Sequence, residues 1–475
     1  IEDIPVNTTS ADLILGYGYS LMGDDVEMNG CYGYNCKHII DSEDRYSVTK
    51  KFKINGGSFI NPANRYSETI TIGSMSGVPL KQYCIGTHAN VKNFIVDGVY
   101  ADGCNDIIGV RCGNITLTNS IIIARECLSV QENIIRIVED TVNSIIISNC
   151  KVTVPDNIIT SGVRHFIGIH DIEGYNKNLI LDNISFSGGK ICSFHPGDYD
   201  FIKFENLIFK NLYGEVYGGL QLTTEYDGYI ENLIIENNTL KMNTNTGNTK
   251  SFVYLYSSNN VKNVILRNNN LDYSTQNTTS RLVLLYDAEI ENIKFENNTI
   301  QCGYTAFDYE NISKNPASNL SISNNIIYSN MGTSSSTYNP GIRIEIDTSG
   351  VGKYSISNNT IIVSNSAFTG SNNPIRIVSA GDSFSLTNNK MNRDWFLSTY
   401  PNIIPTGNVN VSGTLSWKGS TIIKQNGDMY KSTSATTGTF YVGEKIYNSN
   451  LTSAGPLGWV CVLSGTPGTW VNLNI

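Results

Sequence analysis

Apolar and polar residues alternate at period two along short runs through the middle of this chain, and each run closes on asparagine: Asn232-Leu-Ile-Ile-Glu-Asn237-Asn-Thr-Leu, Asn263-Val-Ile-Leu-Arg-Asn268-Asn-Asn-Leu, Asn292-Ile-Lys-Phe-Glu-Asn297-Asn-Thr-Ile and Asn319-Leu-Ser-Ile-Ser-Asn324. Period-two alternation is strand periodicity, and the runs are too short and too rich in β-branched residues for helices. The closing asparagine recurs at Asn119, Asn149, Asn183, Asn206, Asn237, Asn268, Asn297, Asn324, Asn358 and Asn388, at intervals of 23 to 34 residues. One structural unit is therefore repeated with insertions. Asparagine tolerates the left-handed backbone region better than other non-glycine residues, so a column of it at one corner lets each coil turn without strain. Its side-chain amide can also donate to and accept from the asparagine one coil away. Parallel strands need a long crossover, and the rest of the coil supplies it. The pattern predicts an all-β fold, a right-handed single-stranded parallel β-helix of about ten or more coils stacked about 4.8 Å apart, with a small C-terminal β domain.

That architecture changes what a length of 475 residues implies. A solenoid packs only against its neighbours along the axis and escapes the size limit of one globular core. Residues 1–90 lack the ladder and carry Gly- and Tyr-rich turns such as Gly16-Tyr-Gly-Tyr, which predicts irregular coils and loops opening the β-helix. Regular coils follow over 91–395, then a connector over 396–412 containing Pro401 and Pro405, then a compact strand-rich segment over 413–475. A segment of about sixty residues is marginal as an independent β domain, and oligomerisation would supply the missing burial.

A net charge of −9, with only 16% charged residues, argues against a nucleic-acid partner, because phosphate binding needs clustered Lys and Arg. No apolar run approaches a membrane span and no signal peptide is visible, so membrane insertion is not expected. The chain begins at Ile1 rather than Met, which suggests a segment with a missing N-terminal part. Its ten cysteines form neither metal-ligand doublets nor a dense framework and read mostly as small buried apolar residues, with a Cys31 to Cys36 bridge as the alternative. Such usage suits assembly in a reducing cytoplasm. The sequence contains no zinc or calcium motif, and neither metal nor cofactor is expected.

The repeated Asn-Asn-Thr-Ile/Leu coils cover roughly two thirds of the chain, and the C-terminal run Gly443-Glu-Lys-Ile-Tyr-Asn-Ser-Asn450 precedes Gly458-Trp-Val-Cys-Val and Gly465-Thr-Pro-Gly-Thr-Trp470. Together these resemble bacteriophage tailspike or receptor-binding proteins of the pectate-lyase-like β-helix superfamily. The resemblance implies a homotrimer in the virion tail, attached to the phage tail or baseplate through the missing N-terminal part. It also implies a bacterial surface polysaccharide as partner, bound and often cleaved. The Gly-Asp-Gly-rich signature that usually opens such β-helices is absent from this sequence.

An outer sheet of a β-helix suits an extended glycan, and the strand preceding each ladder strand is where polar and aromatic residues interrupt the apolar pattern. If Leu220 and Leu222 face inward, alternation sets Gln221, Thr223, Glu225 and Asp227 outward on one line. Neighbouring coils then add His170, Asp171 and Glu173 on one side and Tyr254 and Tyr256 on the other. Glycosidic cleavage needs one carboxyl group held as acid and another as base or nucleophile, about 5 to 9.5 Å apart. Glu225 with Asp227 is the leading catalytic pair, with Asp171 and Glu173 as further candidates; His170, His195, Tyr254, Tyr256, Asp287 and Arg343 are candidates for holding the sugar. Arg343, Glu345 and Asp347 form a second cluster, either a structural ion pair at a trimer seam or a substrate clamp, and Asp308 with Glu310 a third acidic pair. The leading expectation is a depolymerase that endo-hydrolyses capsule, exopolysaccharide or O-antigen. The alternatives are a non-catalytic adhesin of the same fold, a polysaccharide lyase with His170 or a tyrosine as base, and a teichoic-acid-degrading appendage.

Overall fold

The computed structural model describes residues 17–20, 23–34, 38–42, 50–61, 69–72, 75–79, 84–87, 91–103, 107–124, 133–138, 143–154, 165–170, 174–195, 201–222, 227–242, 251–255, 259–274, 281–303, 305–311, 313–329, 341–346, 352–363, 374–379, 383–391, 396–398, 403–406, 409–410, 414–417, 420–425, 428–431, 442–443, 445–448, 455–465 and 467–474. Among them every regular element is a strand. The chain divides into two compact units, 1–253 with 258–261, and 254–257 with 262–475.

In the first unit a complete coil contributes three strands. One ends at the asparagine corner, a short one follows it, and a third returns along the back. The corner strands Val91–Asp97, Cys112–Thr118, Ser144–Ser148, Gly174–Asp182, Phe201–Lys210 and Asp227–Glu236 pair in parallel, each with the next. Their alternation is the reason. Phe94, Ile115, Ile145, Leu179, Leu207 and Leu233 stack in one buried column, and Val96, Leu117, Ile147, Leu181, Phe209 and Ile235 in the next. Each such side chain contributes about 1.5–3 kcal/mol on leaving water. The back strands Ile108–Val110, Asn133–Val138, His165–His170, Lys190–His195 and Gly218–Leu222 close the coil from the other side through Ile108, Ile135, Ile167, Cys192 and Leu220.

The second unit repeats the scheme. Its corner strands Glu289–Glu296, Asn319–Ser323, Lys353–Ser357 and Ser383–Thr387 stack Ile293, Leu320, Tyr354 and Phe384. Its back strands Arg281–Tyr286, Thr305–Asn311, Ile342–Ile346 and Ile375–Ser379 stack Val283, Phe307, Ile342 and Ile375. Both units are thus parallel β-helices. The C-terminal strands Thr414–Trp417, Ser420–Gln425, Asp428–Lys431, Lys445–Asn448, Gly458–Leu463 and Thr469–Leu473 form a separate, mainly antiparallel sheet, packed around Ile446, Trp459 and Cys461 with Trp470 against them. Cys84, Cys150, Cys192, Cys302 and Cys461 are buried thiols that form no disulfide, as expected of small apolar residues. Cys31 is also a free thiol, and Cys36 lies outside the described residues.

The corner is a single left-handed residue. Asn119, Asn149, Asn183, Asn237, Asn268, Asn297, Asn324, Asn358 and Asn388 all sit at φ between 52° and 56°. Asn206 does not. It lies inside the strand Phe201–Lys210, and the corner of that coil is Asn211 at φ 55°. The repeated frame carries asparagine at both ends, and Asn206 occupies the first position: its amide donates to Asn178 Oδ1 at 2.9 Å and its oxygen accepts from Asn232 Nδ2 at 3.0 Å. Earlier coils use glycine instead, at Gly56 and Gly98 with φ 63° and 66°, which is why no asparagine ladder marks them.

The residue after the corner carries the polar load of the interior. In the second unit Asn269, Asn298, Asn325, Asn359 and Asn389 are buried one above another. Asn298 Oδ1 accepts from both the backbone N–H and the amide of Asn269, at 3.0 and 2.9 Å, and Asn298 in turn donates from the same two groups to Asn325 Oδ1, at 2.9 and 3.0 Å. In the first unit Ser120 performs the service for one coil, accepting from the Val99 N–H at 3.2 Å, and Asn238 for another, accepting from the Leu212 N–H at 2.8 Å.

Replacing Asn298 by Ala removes the acceptor for two buried donors, so Asn298→Ala is expected to lower the unfolding free energy by about 2–4 kcal/mol, whereas Asn297→Gly at the exposed corner costs less than about 1 kcal/mol. Urea unfolding of both variants checks the difference; equal losses would show that the interior amide carries no special share.

Candidate functional site

On the back strands of the second unit, Phe307, Tyr309, Ile342 and Ile344 are fully buried. Alternation sets two further columns on the opposite face. In one, Leu284, Asp308, Arg343 and Arg376 are register partners from coil to coil; in the other, Tyr286, Glu310, Glu345 and Val378. Stacking thereby brings charged residues far apart in sequence to about 4.8 Å at the backbone.

They form one ionic cluster. Arg343 Nη1 lies 3.3 Å from Asp308 Oδ2 and 2.6 Å from Glu310 Oε2, and Nη2 donates to Glu345 Oε2. Arg281 Nε reaches Asp308 Oδ2 at 3.0 Å and its Nη1 lies 3.7 Å from Glu310 Oε2. Accessibility is graded: the side chains of Asp308 and Arg343 are 1% and 9% exposed, those of Glu310, Glu345 and Arg281 are 13%, 24% and 29% exposed. Burial pushes the Asp308 carboxyl above the usual carboxylate range, against the pull of Arg281 and Arg343. Burial also opposes the charge on Arg343, but Asp308, Glu310 and Glu345 outweigh it and hold the guanidinium protonated. The result is a closed inner pair with two carboxylates at its open rim.

The other expected site residues are dispersed. Glu225, Asp171, Glu173 and Tyr256 lie outside the described residues, as does Asp347. Asp227 opens the corner strand Asp227–Glu236 opposite Phe201, while the back strand carrying Gln221 ends at Leu222. Gln221 and Asp227 therefore belong to different sheets, so the expected line from Gln221 does not extend to Asp227. His170 and His195 close adjacent back strands and are direct register partners. Tyr254 is half-buried within Val253–Leu255. Asp287 is a corner residue at φ 51°: its backbone N–H donates to the Glu310 carbonyl at 2.6 Å, and its carboxylate accepts from the N–H and hydroxyl of Ser313. That geometry gives Asp287 a turn-forming role.

Arg343, Glu345 and the pair Asp308 with Glu310, separate clusters in the sequence, are one site in the structure. Arg281 was not among the candidates. It has the parity of inward Val283 at the first position of its strand, and period-two reasoning passes over it. Among the described residues no group of three or more His, Cys, Asp or Glu is placed to hold a metal ion.

Two outcomes follow. Arg343→Ala leaves Asp308, Glu310 and Glu345 without their shared cation and is expected to cost about 3–5 kcal/mol in denaturant unfolding; a loss below about 1 kcal/mol would mean that the cluster is solvated. Second, a carboxyl whose folded pKa is raised contributes stability that is complete below its unfolded pKa and lost as pH rises through the folded value. Wild type should therefore lose stability relative to Asp308→Asn across that window. Paired urea curves from about pH 4 to about pH 8 test this, and a constant difference would contradict it.

In comparison with known proteins, the chain matches no protein-family model, no curated protein and no solved structure.

Proposed function

We propose that this protein binds an extended bacterial surface polysaccharide along its β-helix and hydrolyses it internally, as a virion tailspike depolymerase working as a homotrimer. The observation that carries the reading is the rim of the ionic cluster, where Glu310 and Glu345 are register partners on adjacent coils, both partly exposed and both on Arg343. Their backbones stand about 4.8 Å apart, close to the separation of about 5–5.5 Å at which retaining glycosidases hold their two carboxyl groups. Parallel coils also supply a flat, repeating outer surface matched to a repeating polymer. The sequence resemblance to tailspike proteins points the same way.

One observation favours a second reading, a non-catalytic adhesin of the same fold. Each carboxylate of the cluster already contacts a guanidinium, which engages oxygens that a substrate would have to meet.

Size-exclusion chromatography of host polysaccharide after incubation with the protein separates the two. The hydrolase reading expects shortened glycan without ultraviolet absorbance, and a loss of at least about 100-fold in rate for Glu310→Gln and for Glu345→Gln. Unchanged cleavage in both variants, with loss in Glu225→Gln or Asp227→Asn, would move the chemistry to the other candidates. Bound but uncut glycan would establish the adhesin, and products absorbing in the ultraviolet a lyase.

A further inference from the structure

The outward face of the corner strands in the first unit carries an apolar column. Ile95, Thr116, Ile146, Ile180, Ile208 and Ile234 are register partners from coil to coil. Each is half-buried and stands between two buried neighbours on its own strand. Stacking does not require isoleucine there. The same column of the second unit is Lys294, Ser321, Ser355 and Ser385, on strands that pair in the same parallel way. On one flank of the isoleucines runs a neutral file of amides bonded to one another, Asn206 to Asn178 at 2.9 Å and Asn232 to Asn206 at 3.0 Å. On the other flank Asp97 accepts from the Thr118 hydroxyl and the Asn119 amide, both at 2.7 Å, and Asp182 lies 3.2 Å from Lys210 Nζ. An apolar centre within a polar rim is the anatomy of a protein interface. Three features select another copy of this chain as its occupant. A rim whose acids are answered within itself can meet its own like, although the chain as a whole stands at −9. Six strands about 4.8 Å apart, with three outward positions on each, span about 500 Å², so two such faces bury about 1,000 Å², enough for a specific interface. A second copy also repeats at about 4.8 Å, which lets the methyl groups of one stripe seat between those of the other at every coil.

We infer that the isoleucine stripe from Ile95 to Ile234 is a self-association surface, along which copies of this chain lie side by side with their stripes in contact. The inference rests on the homo-oligomeric part of the reading above and gives that assembly a surface; it does not involve the hydrolysis. The stripe belongs to the corner sheet, whereas the Glu310 and Glu345 rim belongs to the back strands.

Sedimentation equilibrium of the whole chain over a dilution series tests it, against a single-copy mass of 52.3 kDa. Wild type should sediment at a multiple of that mass. Ile180→Ser combined with Ile208→Ser gives the first unit the residue that the second unit carries in this column, so the coils keep their stacking. It should weaken association at least about 100-fold, because every copy at the contact loses both side chains. Ile180→Asp combined with Ile208→Asp should sediment as a single chain. Ser355→Asp combined with Ser385→Asp adds the same charge to the matching column of the second unit and should leave the wild-type mass. Circular dichroism and thermal unfolding establish that each variant is folded. Folded serine and aspartate variants of the isoleucine pair that keep the wild-type mass and affinity would overturn the stripe and leave the homo-oligomer standing. Equal dissociation by the Ser355 and Ser385 variant would also overturn it, since added charge on either unit would then suffice. A wild type of single-chain mass overturns the stripe and the homo-oligomer together. Glycan cleavage is read separately: an oligomeric wild type that cuts nothing, and that the isoleucine variants dissociate, refutes only the hydrolysis.

Discussion

The fold depends on one backbone donor. A left-handed corner turns the chain sharply between two strands, and the N–H that follows it is engaged by a side-chain oxygen of the next coil, as Asn298 N–H is by Asn325 Oδ1. Inside a closed coil no water is at hand, and an unanswered N–H there costs about as much as a whole hydrogen bond. The second unit solves the problem with an amide at each level; the first solves it piecemeal, with Ser120 and Asn238. Cys150 stands at the same position: its sulfur accepts from the backbone N–H of Ser120 and also lies within reach of two carbonyl oxygens, while burial pushes its thiol up to about 11. Apolar columns give the coils their adhesion, but the polar file decides where each coil must bend.

This division explains which parts of the fold were readable in sequence. Period-two alternation has a direct physical cause, burial on one face, and it marks the strands wherever the frame recurs. Corner asparagines are almost as plain because few residues tolerate their backbone conformation. Asn206 misled because a strand-start asparagine and a corner asparagine are the same letter in the same frame, separated only by what the backbone does at each. Gly56 and Gly98 turn early corners with no asparagine at all. The buried amide file needed three-dimensional stacking to appear, although its residues adjoin the corner in every repeat.

The charged cluster was legible in fragments only. Asp308 and Arg343 are separated by an insertion whose length says nothing about register, so their contact follows from coil stacking rather than from spacing. Alternation correctly sets Arg343 and Glu345 on one face, and it finds Asp308 and Glu310 likewise. It could not join the two, and it could not recruit Arg281. Nor could it foresee that the strand holding Gln221 stops before Asp227. Buried ionic groups of this kind add little net stability over apolar residues of similar size, because desolvation consumes most of the attraction. What they add is discrimination: a back strand shifted by one residue would set Arg343 opposite an apolar side chain, not Asp308.

The interior amides also have a direction. Among themselves they donate toward the C-terminal neighbour and accept from the N-terminal one, from Asn269 through Asn298 and Asn325 to Asn359 and Asn389, while the amides from Asn298 onward also donate to a carbonyl of the preceding coil. A file with such a polarity counts in integers. Segments between the walls can lengthen freely, since they carry no member of the file, but the body itself can grow or shrink only by whole turns. Any fractional change would leave one amide facing the wrong level, so the evolutionary history of such a chain should be one of duplicated and deleted turns, with its variable lengths confined to the outside.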